Sequence, residues 1–440
     1  MQAEIIAVGT ELLLGEVVNT NAAWISQELA SLGVNVRIHV TVGDNPARIQ
    51  QVIAQALERS NILIFTGGLG PTDDDLTVAT IADYFKTPLA ADPESEETIR
   101  SYFIARGMPM SKSNIKQALK PVGADTIKNP VGTAPGILWD VSDKVGKPAV
   151  IATFPGVPKE LYAMWPSITE TLRGFYTQHG ENPEGIYSSF LHFFGIGESK
   201  LGELLRDLMQ AESPTVAPYV GQAVVKIRLA AKAPTREEAL AVIEPVKQEV
   251  IRRAEPYYFG EGEMTLEKSV AAILTENHWS VSTAESCTGG LLSSRLTDVP
   301  GSSQYTHLNL VTYSNAEKHR QLGVPLDLLE TFGAVSPEVA NAMVLGLKER
   351  TQSDVAIALT GIAGPDGGTE TKPVGLVYIG MIAPGMTDPI VKKVLVNPRY
   401  GRVDIKYWFT QYALHYLRHA LLGRLEPDQS EANLQLGKTS

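Results

Sequence analysis

The chain has 440 residues, of which 44% are hydrophobic and 20% are charged, so it is long enough to form two or three domains with buried cores. The formal net charge of −11 argues against a protein that binds nucleic acid through a basic face, and the single cysteine excludes an internal disulfide framework and a multi-cysteine zinc site. One cysteine suits the reducing cytoplasm, and the sequence contains neither a recognisable signal peptide nor an apolar run of the ~20 residues that span a bilayer, so we expect a cytoplasmic protein without a membrane partner.

Residues 1–168 alternate between strand-like and helix-like patterns. Apolar runs at 4–8, 34–42 and 61–65 predict strands, and apolar residues at helical spacing over 21–32 and 46–59 predict the helices between them. This order predicts a largely parallel sheet with helices on both faces, which is a three-layer α/β/α domain, with ligands beyond the carboxyl ends of the strands. The segments GTELLLG and TGGLGPTDDD both fall there.

Residues 169–260 predict a small α+β domain with a KH-like outline. Its strands are expected at 188–194 and 223–230, and its helices at 198–209 and 235–254. The turn Gly195-Ile196-Gly197-Glu198 is acidic where an RNA phosphate clamp is basic, so we favour a linker domain over an RNA-binding one.

Residues 261–424 predict a second α/β/α domain. The expected elements are helices at 265–277, 289–297, 337–350 and up to about 422, strands at 280–284, 309–313 and 354–360, a glycine-rich loop at 361–368 and two further strands. The sequence TAESCTGG, residues 283–290, joins the first of these strands to the following helix. Residues 425–440 are polar, and we expect them to form a flexible tail.

Three consecutive aspartates follow a glycine-rich segment in the N-terminal domain. Gly67, Gly68 and Gly70 let backbone N–H groups approach an anion, and Asp73, Asp74 and Asp75 offer the oxygen ligands that a divalent ion such as Mg²⁺ takes together with substrate phosphates. The same segment also suits a helix N-terminus, with Thr72 or Asp73 as the N-cap and the next aspartates in the first turn. Other loops of this domain offer three further candidates for the site, which are Glu11, Asn21 and Lys128.

Motifs in both halves of the chain resemble the CinA family. The segments GTELLLGEVVNTNA, TGGLGPTDDDLT, KNPVGTAPG and FPGVPKEL resemble its N-terminal domain, which is similar to molybdopterin-binding domains. The segments TAESCTGG, VTYSNAEKHRQLGV, AVSPEVA and ALTGIAGPDGGTETKPVGLVYIG resemble its C-terminal domain.

The resemblance implies two hydrolases of pyridine-nucleotide metabolism. One is an ADP-ribose pyrophosphatase that uses a divalent metal and releases AMP and ribose 5-phosphate; the other is a nicotinamide mononucleotide (NMN) amidohydrolase that needs no cofactor and releases ammonia. In this chain the metal and nucleotide of the first activity would meet near Asp73, Asp74 and Asp75.

Ser286 and Cys287 compete for the role of nucleophile in TAESCTGG. A thiolate at a helix N-terminus can have a lowered pKa, but a cysteine nucleophile normally needs a nearby histidine, so we interpret Cys287 as core packing. A Ser–Lys pair is an attested alternative to a Ser-His-Asp triad, and a buried lysine can act as a base. The family comparison implies such a pair at Ser286 and Lys318, with Tyr313 to relay or orient the proton, although Ser286 alone also suits an N-cap.

The remaining candidate residues would bind the substrate amide and its phosphate. Those at the helix start and in the glycine-rich loop are Thr288, Gly289, Gly290, Thr360, Gly361, Gly364 and Gly367. Backbone N–H groups after Thr288, itself a candidate cap, would bind the oxyanion, and the loop would hold the ribosyl phosphate or the pyridine ring. Arg399 or Arg402 would bind the phosphate. Family members usually have Gly-Asp-Arg here, whereas this chain has Tyr400-Gly401-Arg402, which leaves the choice of arginine open.

Two other functions fit parts of the sequence. One is a molybdopterin-binding protein, and the other is a non-enzymatic partner in competence or DNA damage, as the family name suggests. The acidic composition argues against direct contact with nucleic acid. We expect a homodimer, because soluble oligomers are most often two-fold symmetric.

Overall fold

The structure, a computed structural model, describes residues 1–179, 184–221 and 223–425. The chain forms two compact units: Met1–Tyr187 together with Ala231–Val242 form the first, and Ser188–Ala230 together with the chain from Ile243 onward form the second. The predicted tail, apart from Leu425, lies outside the described residues. The predicted domain boundaries at 168 and 260 stay predictions.

The N-terminal segment contains eight strands and eight helices. They are β1 Gln2–Val8, α1 Thr10–Leu14, α2 Thr20–Ser31, β2 Asn35–Val42, α3 Pro46–Arg59, β3 Ile62–Thr66, α4 Thr77–Tyr84, β4 Leu89–Ala91, α5 Pro93–Ala105, β5 Leu119–Pro121, β6 Asp125–Ile127, β7 Gly136–Asp140, α6 Ser142–Val145, β8 Val150–Phe154, α7 Pro158–Met164 and α8 Pro166–Gln178, with a 3-10 helix at Lys112–Ala118. Six strands form one sheet in the order β2-β1-β3-β8-β7-β6, and its first four strands are parallel.

Apolar side chains on the two faces of this sheet form two separate cores. Ile5 and Ile64 pack with residues of α2 and α8, whereas Ile6 and Phe65 pack with residues of α3 and α4. The predicted three-layer α/β/α arrangement is therefore confirmed. Because α2 and α3 lie on opposite faces, the winding reverses at β1, and the carboxyl end of β1 is a topological switch point of the kind where ligands bind.

The middle segment forms a small antiparallel sheet with two helices. Its elements are β9 Gly185–Phe193, α9 Glu198–Leu204, β10 Thr215–Gly221, β11 Val224–Ala233, α10 Arg236–Arg253 and β12 Tyr258–Glu261, with 3-10 helices at Leu208–Gln210 and Glu255–Tyr257. The strand order is β10-β11-β9-β12. The α+β prediction is confirmed, although β10 and β12 were not predicted and the helix expected at 198–209 ends at Leu204.

The C-terminal segment forms a second α/β/α arrangement, as predicted. Its elements are α11 Leu266–Glu276, β13 Val281–Glu285, α12 Leu291–Thr297, β14 Thr306–Val311, α13 Asn315–Leu322, α14 Leu326–Phe332, α15 Pro337–Thr351, β15 Val355–Gly361, β16 Leu376–Ile382, β17 Ile390–Leu395 and α16 Arg402–Leu421, with a 3-10 helix at Ser302–Gln304. The strand order is β14-β13-β15-β16-β17, and β13 runs parallel to both of its neighbours.

The carboxyl end of β13 is also a topological switch point. The helix after β13, α12, shares a core with α11 and α16, whereas α13, α14 and α15 share a core on the opposite face. The connection from β13 to β14 therefore covers one face of the sheet and the connection from β14 to β15 covers the other, so the winding reverses at β13. Ligands of such sheets bind beyond the carboxyl end of the strand at this point. TAESCTGG begins in β13 and ends at Gly290, directly at this point. None of the described helices combines the length and apolar character that crossing a membrane requires.

Candidate functional site

A buried amine contacts a buried hydroxyl directly after β13. Lys318, on α13, is 1% exposed, and Ser286 is 9% exposed. The Nζ atom of Lys318 lies 3.0 Å from Ser286 Oγ, and it donates to the backbone oxygens of Thr312 at 2.9 Å and Tyr313 at 3.3 Å. A neutral amine has two protons, which these two carbonyls can accept, so its lone pair is left to face the Ser286 hydroxyl.

Burial lowers the pKa of Lys318 to about 8, because an ammonium group is poorly solvated in this position. Among the described residues, no carboxylate forms a salt bridge with Lys318 that would restore its ordinary pKa. About a tenth of the amine is therefore neutral at pH 7, and a neutral amine is able to remove a proton from a hydroxyl.

The single cysteine lies in a different environment from its neighbour Ser286. Burial raises the pKa of Cys287 to about 12, and its side chain belongs to the apolar core that includes Leu292 and Leu296. The thiol therefore stays protonated at neutral pH, which supports the interpretation of Cys287 as packing.

Glu285, which the sequence did not single out, closes the start of α12. Its fully buried carboxylate accepts hydrogen bonds from the backbone N–H groups of Gly290 (3.0 Å), Leu292 (3.1 Å) and Ser293 (2.8 Å), and from the Ser293 hydroxyl (2.6 Å). Four donors and the positive end of the helix offset the cost of burying this charge. The only sequence signal for this role of Glu285 is a glutamate at a strand end that is followed by a glycine-rich turn.

Two predictions about this turn are wrong, because Glu285 rather than Thr288 binds the N–H groups at the start of α12. The helix begins at Leu291 with Gly290 as its N-cap, and the Thr288 hydroxyl accepts no cap hydrogen bond; it is buried without a partner among the described residues. The N–H groups of the first helical turn are also not available to an oxyanion, because Glu285 already occupies them. Gly289 and Gly290 have φ values of 64° and 95°, which glycine adopts without strain and which form the turn.

Tyr313 and Arg402 meet at the surface beside this site. The Tyr313 side chain is exposed, and its hydroxyl accepts a hydrogen bond of 3.0 Å from Arg402 rather than contacting Ser286 or Lys318. Arg402 also donates to the carbonyl of Gly364 at 2.5 Å. Arg399 is exposed, and its guanidinium forms no hydrogen bond or salt bridge with another residue in the described ranges. The structure thus brings Tyr313, Gly364 and Arg402 together and leaves Arg399 apart.

Two residues of the glycine-rich loop are held by the fold itself. The buried Thr360 hydroxyl donates to the carbonyl of Ala334 at 2.6 Å, and a Cβ on Gly361 would lie 2.5 Å from the Leu376 carbonyl oxygen. Gly364 and Gly367 have φ values of 72° and 86°, so both positions favour glycine. A substrate contact by these residues stays a prediction.

A cleft of about 490 Å³ in the N-terminal domain contains most of the residues predicted there. The predicted residues that line it are Glu11, Asn21, Gly67, Gly68, Gly70, Asp74 and Asp75. Lys128 instead forms an ion pair with Glu94 beside a separate pocket of about 250 Å³. Asp73 lines neither cavity.

The aspartate segment does not cap a helix. α4 begins at Thr77 with Leu76 as its N-cap, so the predicted cap at Thr72 or Asp73 is wrong. Asp75 instead accepts hydrogen bonds from the N–H (2.9 Å) and hydroxyl (2.5 Å) of Thr72, which makes a local turn. In the part of the chain that the structure describes, no three His, Cys, Asp or Glu side chains are arranged to hold a metal ion.

Asn21 presents an unpaired acceptor in this cleft. Its Nδ2 donates to Thr66 Oγ1 at 3.0 Å and to the Gly156 carbonyl at 2.8 Å, which fixes the orientation of the amide because a carbonyl can only accept. Its Oδ1 is buried and has no partner among the described residues. An unpaired buried acceptor costs about 1–3 kcal/mol, and a ligand hydroxyl, an N–H group or a hard cation would satisfy it.

Glu160 is a further cleft residue that the sequence reasoning did not select. Its carboxylate accepts a hydrogen bond of 2.6 Å from Asn129, and a Cβ on Gly132 would approach it to 2.4 Å. The cleft therefore offers several oxygen ligands of the kind that a hard divalent cation prefers. One or two carboxylates are enough for such an ion when substrate phosphates supply further ligands.

Three family models match consecutive parts of the chain. The probable molybdopterin binding domain matches residues 4–174, the damage-inducible protein CinA KH domain matches residues 188–260, and the CinA C-terminal domain matches residues 263–421. A CinA-like protein from Nostoc sp. is 47% identical over 96% of this chain and 100% of its own length. Another from Microcystis aeruginosa is 50% identical over 96% of this chain and 99% of its own length.

Some solved structures are similar to parts of the chain. Competence/damage inducible protein CihA from Agrobacterium tumefaciens is 39% identical over 36% of this chain and 93% of its own length, with a TM-score of 0.34. The molybdopterin biosynthesis enzyme MoaB from Thermus thermophilus is 18% identical over 41% of this chain and 97% of its own length, with a TM-score of 0.29. Because the relatives from Nostoc and Microcystis cover nearly all of this chain at about half identity, the protein belongs to the CinA family.

Proposed function

We propose that the C-terminal domain hydrolyses the carboxamide of NMN and produces nicotinate mononucleotide and ammonia. The observation that carries the proposal is the contact of 3.0 Å between the Lys318 amine and the Ser286 hydroxyl, both buried at the end of β13. Amide hydrolysis needs a nucleophile and a base that later protonates the leaving amine, and this pair supplies both groups.

The reaction proceeds in two halves. Neutral Lys318 removes the Ser286 proton as Oγ attacks the carboxamide carbon; the resulting tetrahedral intermediate collapses, its C–N bond breaks, and Lys318 returns the proton to the leaving nitrogen, which departs as ammonia. Water then attacks the Ser286 ester while Lys318 accepts its proton. The ester C–O bond breaks, Ser286 recovers a proton from Lys318, and the carboxylate product is released.

The oxyanion of each tetrahedral intermediate needs donors other than the start of α12. Directly after the nucleophile, the backbone N–H groups of Cys287 and Thr288 face the Cys287 sulfur, which is a weak acceptor, and donate to no backbone or side-chain oxygen of the described residues. We assign the oxyanion to these two groups, which are fixed by the same turn that positions Ser286.

Ammonia release from NMN by the full-length protein tests this proposal. We expect turnover by the wild type and loss of turnover in Lys318→Met, which keeps the chain length of the side chain but has no amine. A wild-type protein that consumes no NMN would overturn the proposal.

We propose that the N-terminal domain hydrolyses ADP-ribose to AMP and ribose 5-phosphate with a divalent metal. The supporting observation is the unpaired Asn21 acceptor in a cleft that Asp74 and Asp75 also line. These oxygen atoms would hold the ion, and when bound it would neutralise charge on the pyrophosphate. The backbone at Gly67, Gly68 and Gly70 approaches the phosphates, while water attacks phosphorus and the bridging P–O bond breaks.

Two measurements separate this proposal from pterin binding, which the name of the matching N-terminal family model also suggests. Release of AMP from ADP-ribose, with and without a chelator, tests the reaction. Calorimetric titration of the full-length protein with ADP-ribose and with molybdopterin tests the ligand. We expect chelator-sensitive AMP release and tighter binding of ADP-ribose; preferential binding of molybdopterin without AMP release would overturn the proposal.

A further inference from the structure

Lys372 ties the long loop between β15 and β16, residues 362–375, to the end of α14. Residues 365–371 of this β15–β16 loop are exposed, whereas Lys372 is half-buried. The Nζ atom of Lys372 donates to the backbone carbonyl of Phe332, the last residue of α14, at 2.6 Å. Among the described residues, this is the only hydrogen bond that joins residues 365–372 to another element.

The outer part of the loop is a compact turn that ends at Lys372. The backbone N–H of Thr369 donates to the Lys372 carbonyl at 2.8 Å, and the Lys372 N–H donates to the Thr369 hydroxyl at 3.0 Å. Both bonds lie within the loop, so they shape the turn without placing it on the domain. The bond from Lys372 to Phe332 therefore determines where the turn lies.

The residue after Phe332 leaves room for the lysine amine. Gly333 has a φ value of 70°, and a Cβ at this position would lie 3.3 Å from the Nζ atom of Lys372. A larger residue would be strained at this φ and would crowd the ammonium group. Carbonyls at the carboxyl end of a helix carry partial negative charge, which favours a cation as their partner. The end of α14 is therefore well suited to hold this side chain.

The same end of α14 also holds the strand that leads into the loop. The Thr360 hydroxyl donates to the carbonyl of Ala334 at 2.6 Å, and the preceding residue, Leu359, accepts the backbone N–H of Ser286 at 3.1 Å. The nucleophile and the β15–β16 loop both follow the carboxyl ends of the neighbouring parallel strands β13 and β15. A change in the position of the loop therefore changes the surroundings of Ser286.

We infer that Lys372 is a positioning residue of the C-terminal site, because its bond to Phe332 holds the β15–β16 loop in the shape that receives the substrate. The inference rests on the proposed function of this domain, and it adds a residue to which the sequence patterns gave no role. Without the ammonium group the exposed loop samples other positions, so only a fraction of the molecules is ready to bind, and the apparent affinity falls by that fraction. Saturating substrate restores the competent form, so the rate of the chemical steps is unchanged.

Steady-state ammonia release from NMN by the full-length protein measures kcat and KM for the wild type, Lys372→Met and Lys348→Met. Methionine keeps an unbranched side chain and removes the ammonium group. We expect Lys372→Met to raise KM about 10-fold, as loss of one hydrogen bond from a charged group does, and to leave kcat within about twofold.

Lys348 is the matched control. It is also half-buried, and it also donates to backbone carbonyls, those of Ser353 at 2.5 Å and Asp354 at 3.0 Å. Both carbonyls precede β15, at the opposite end of the strand from the loop. Lys348→Met therefore removes a similar contact and should change neither kcat nor KM.

Amide hydrogen exchange reports on the loop without turnover. In Lys372→Met the amides of Thr369 and Lys372→Met itself should exchange at least about 10-fold faster than in the wild type, whereas Lys348→Met should leave them unchanged. The inference requires both changes in Lys372→Met. An unchanged KM, a loss confined to kcat or unchanged exchange in the loop would each overturn it.

Failure of the proposed reaction is distinguishable from failure of this inference. A wild-type protein that releases no ammonia would overturn the reaction, and titration calorimetry with NMN would then replace the kinetics. Binding of NMN that is about 10-fold weaker in Lys372→Met than in the wild type and in Lys348→Met would support the inference. Equal binding by the three proteins, or no binding of NMN, would overturn the inference as well.

Discussion

Ser286 and Cys287 show how neighbouring side chains acquire opposite roles. The Ser286 hydroxyl contacts an amine whose pKa is lowered by burial, whereas the Cys287 thiol lies in an apolar core that raises its pKa. Sulfur is intrinsically the better nucleophile, but only as a thiolate, and this environment suppresses that form. The amine beside Ser286, rather than the intrinsic reactivity of either side chain, therefore decides between them.

The pH dependence of ammonia release follows from the base. Because neutral Lys318 is the active form, we expect kcat/KM for NMN to rise with pH through an apparent pKa of about 8 and then to level off. Lys318→Arg should be inactive across this range, since arginine keeps its proton. A profile that instead rises with a midpoint near the ordinary histidine value of about 6.5 would indicate a different base.

The same lysine makes stability depend on pH. Its pKa falls from 10.5 to about 8 on folding, so below about pH 8 both states hold the proton and folding buries a charge. Between those two values the unfolded state binds more protons, so the free energy of unfolding should rise with pH, by up to about 3 kcal/mol. Denaturant titration of the wild type and of Lys318→Met across this range isolates the contribution. If the difference in free energy of unfolding between the two proteins stayed constant from pH 8 to pH 10.5, this prediction would be wrong.

At the scale of elements, the strand-to-helix turn depends on Glu285. The carboxylate binds the start of α12 and so fixes the residues between β13 and α12, including Ser286. We expect Glu285→Gln to lower the free energy of unfolding by about 1–3 kcal/mol, because the new NH₂ group faces backbone donors. Ammonia release should fall as well.

The control for this prediction is Glu276→Gln, an exposed position at the end of α11 that should change neither quantity. Denaturant unfolding of both variants gives the comparison. If Glu285→Gln were as stable and as active as Glu276→Gln, the carboxylate would not hold the turn.

The predictable elements are those that strong local patterns specify. The patterns at residues 61–65 and 280–284 predicted two central strands. The structure places them at Ile62–Thr66 and Val281–Glu285, and both are fully buried. The start of α4 was misplaced because Thr72 and Asp75 bond to each other in a turn, although both residue types also favour helix caps. The start of α12 was misplaced because its capping group comes from the preceding strand, which spacing rules for caps do not cover.

At the scale of the whole molecule, two separate sheets each present a candidate site at a topological switch point. The cleft begins where β1 ends, and the Ser286 turn begins where β13 ends. The order of strands and helices predicted the location in the N-terminal domain, because it determines the layers of an α/β/α fold, whereas the TAESCTGG motif predicted the location in the C-terminal domain. Contacts such as that between Arg402 and Tyr313, 89 residues apart, depend on tertiary packing, which a local pattern does not encode.

Two separate sites predict two separable activities. In the full-length protein, Asn21→Ala should lower AMP release from ADP-ribose at least about 10-fold, because a ligand contact is lost, and it should leave ammonia release from NMN unchanged. Ser286→Ala should abolish ammonia release from NMN and leave AMP release from ADP-ribose unchanged. Measuring both products for both variants tests this, and loss of both activities in either variant would contradict independent sites.

Ammonia release from NMN by the wild type, Ser286→Ala and Cys287→Ala, at one pH above 8, tests the central claim most directly. The assignment of the nucleophile to Ser286 predicts that Ser286→Ala loses at least about 10³-fold in kcat/KM, as loss of a nucleophile does, while Cys287→Ala keeps most of the wild-type rate. An inactive Cys287→Ala protein beside an active Ser286→Ala protein would contradict the assignment.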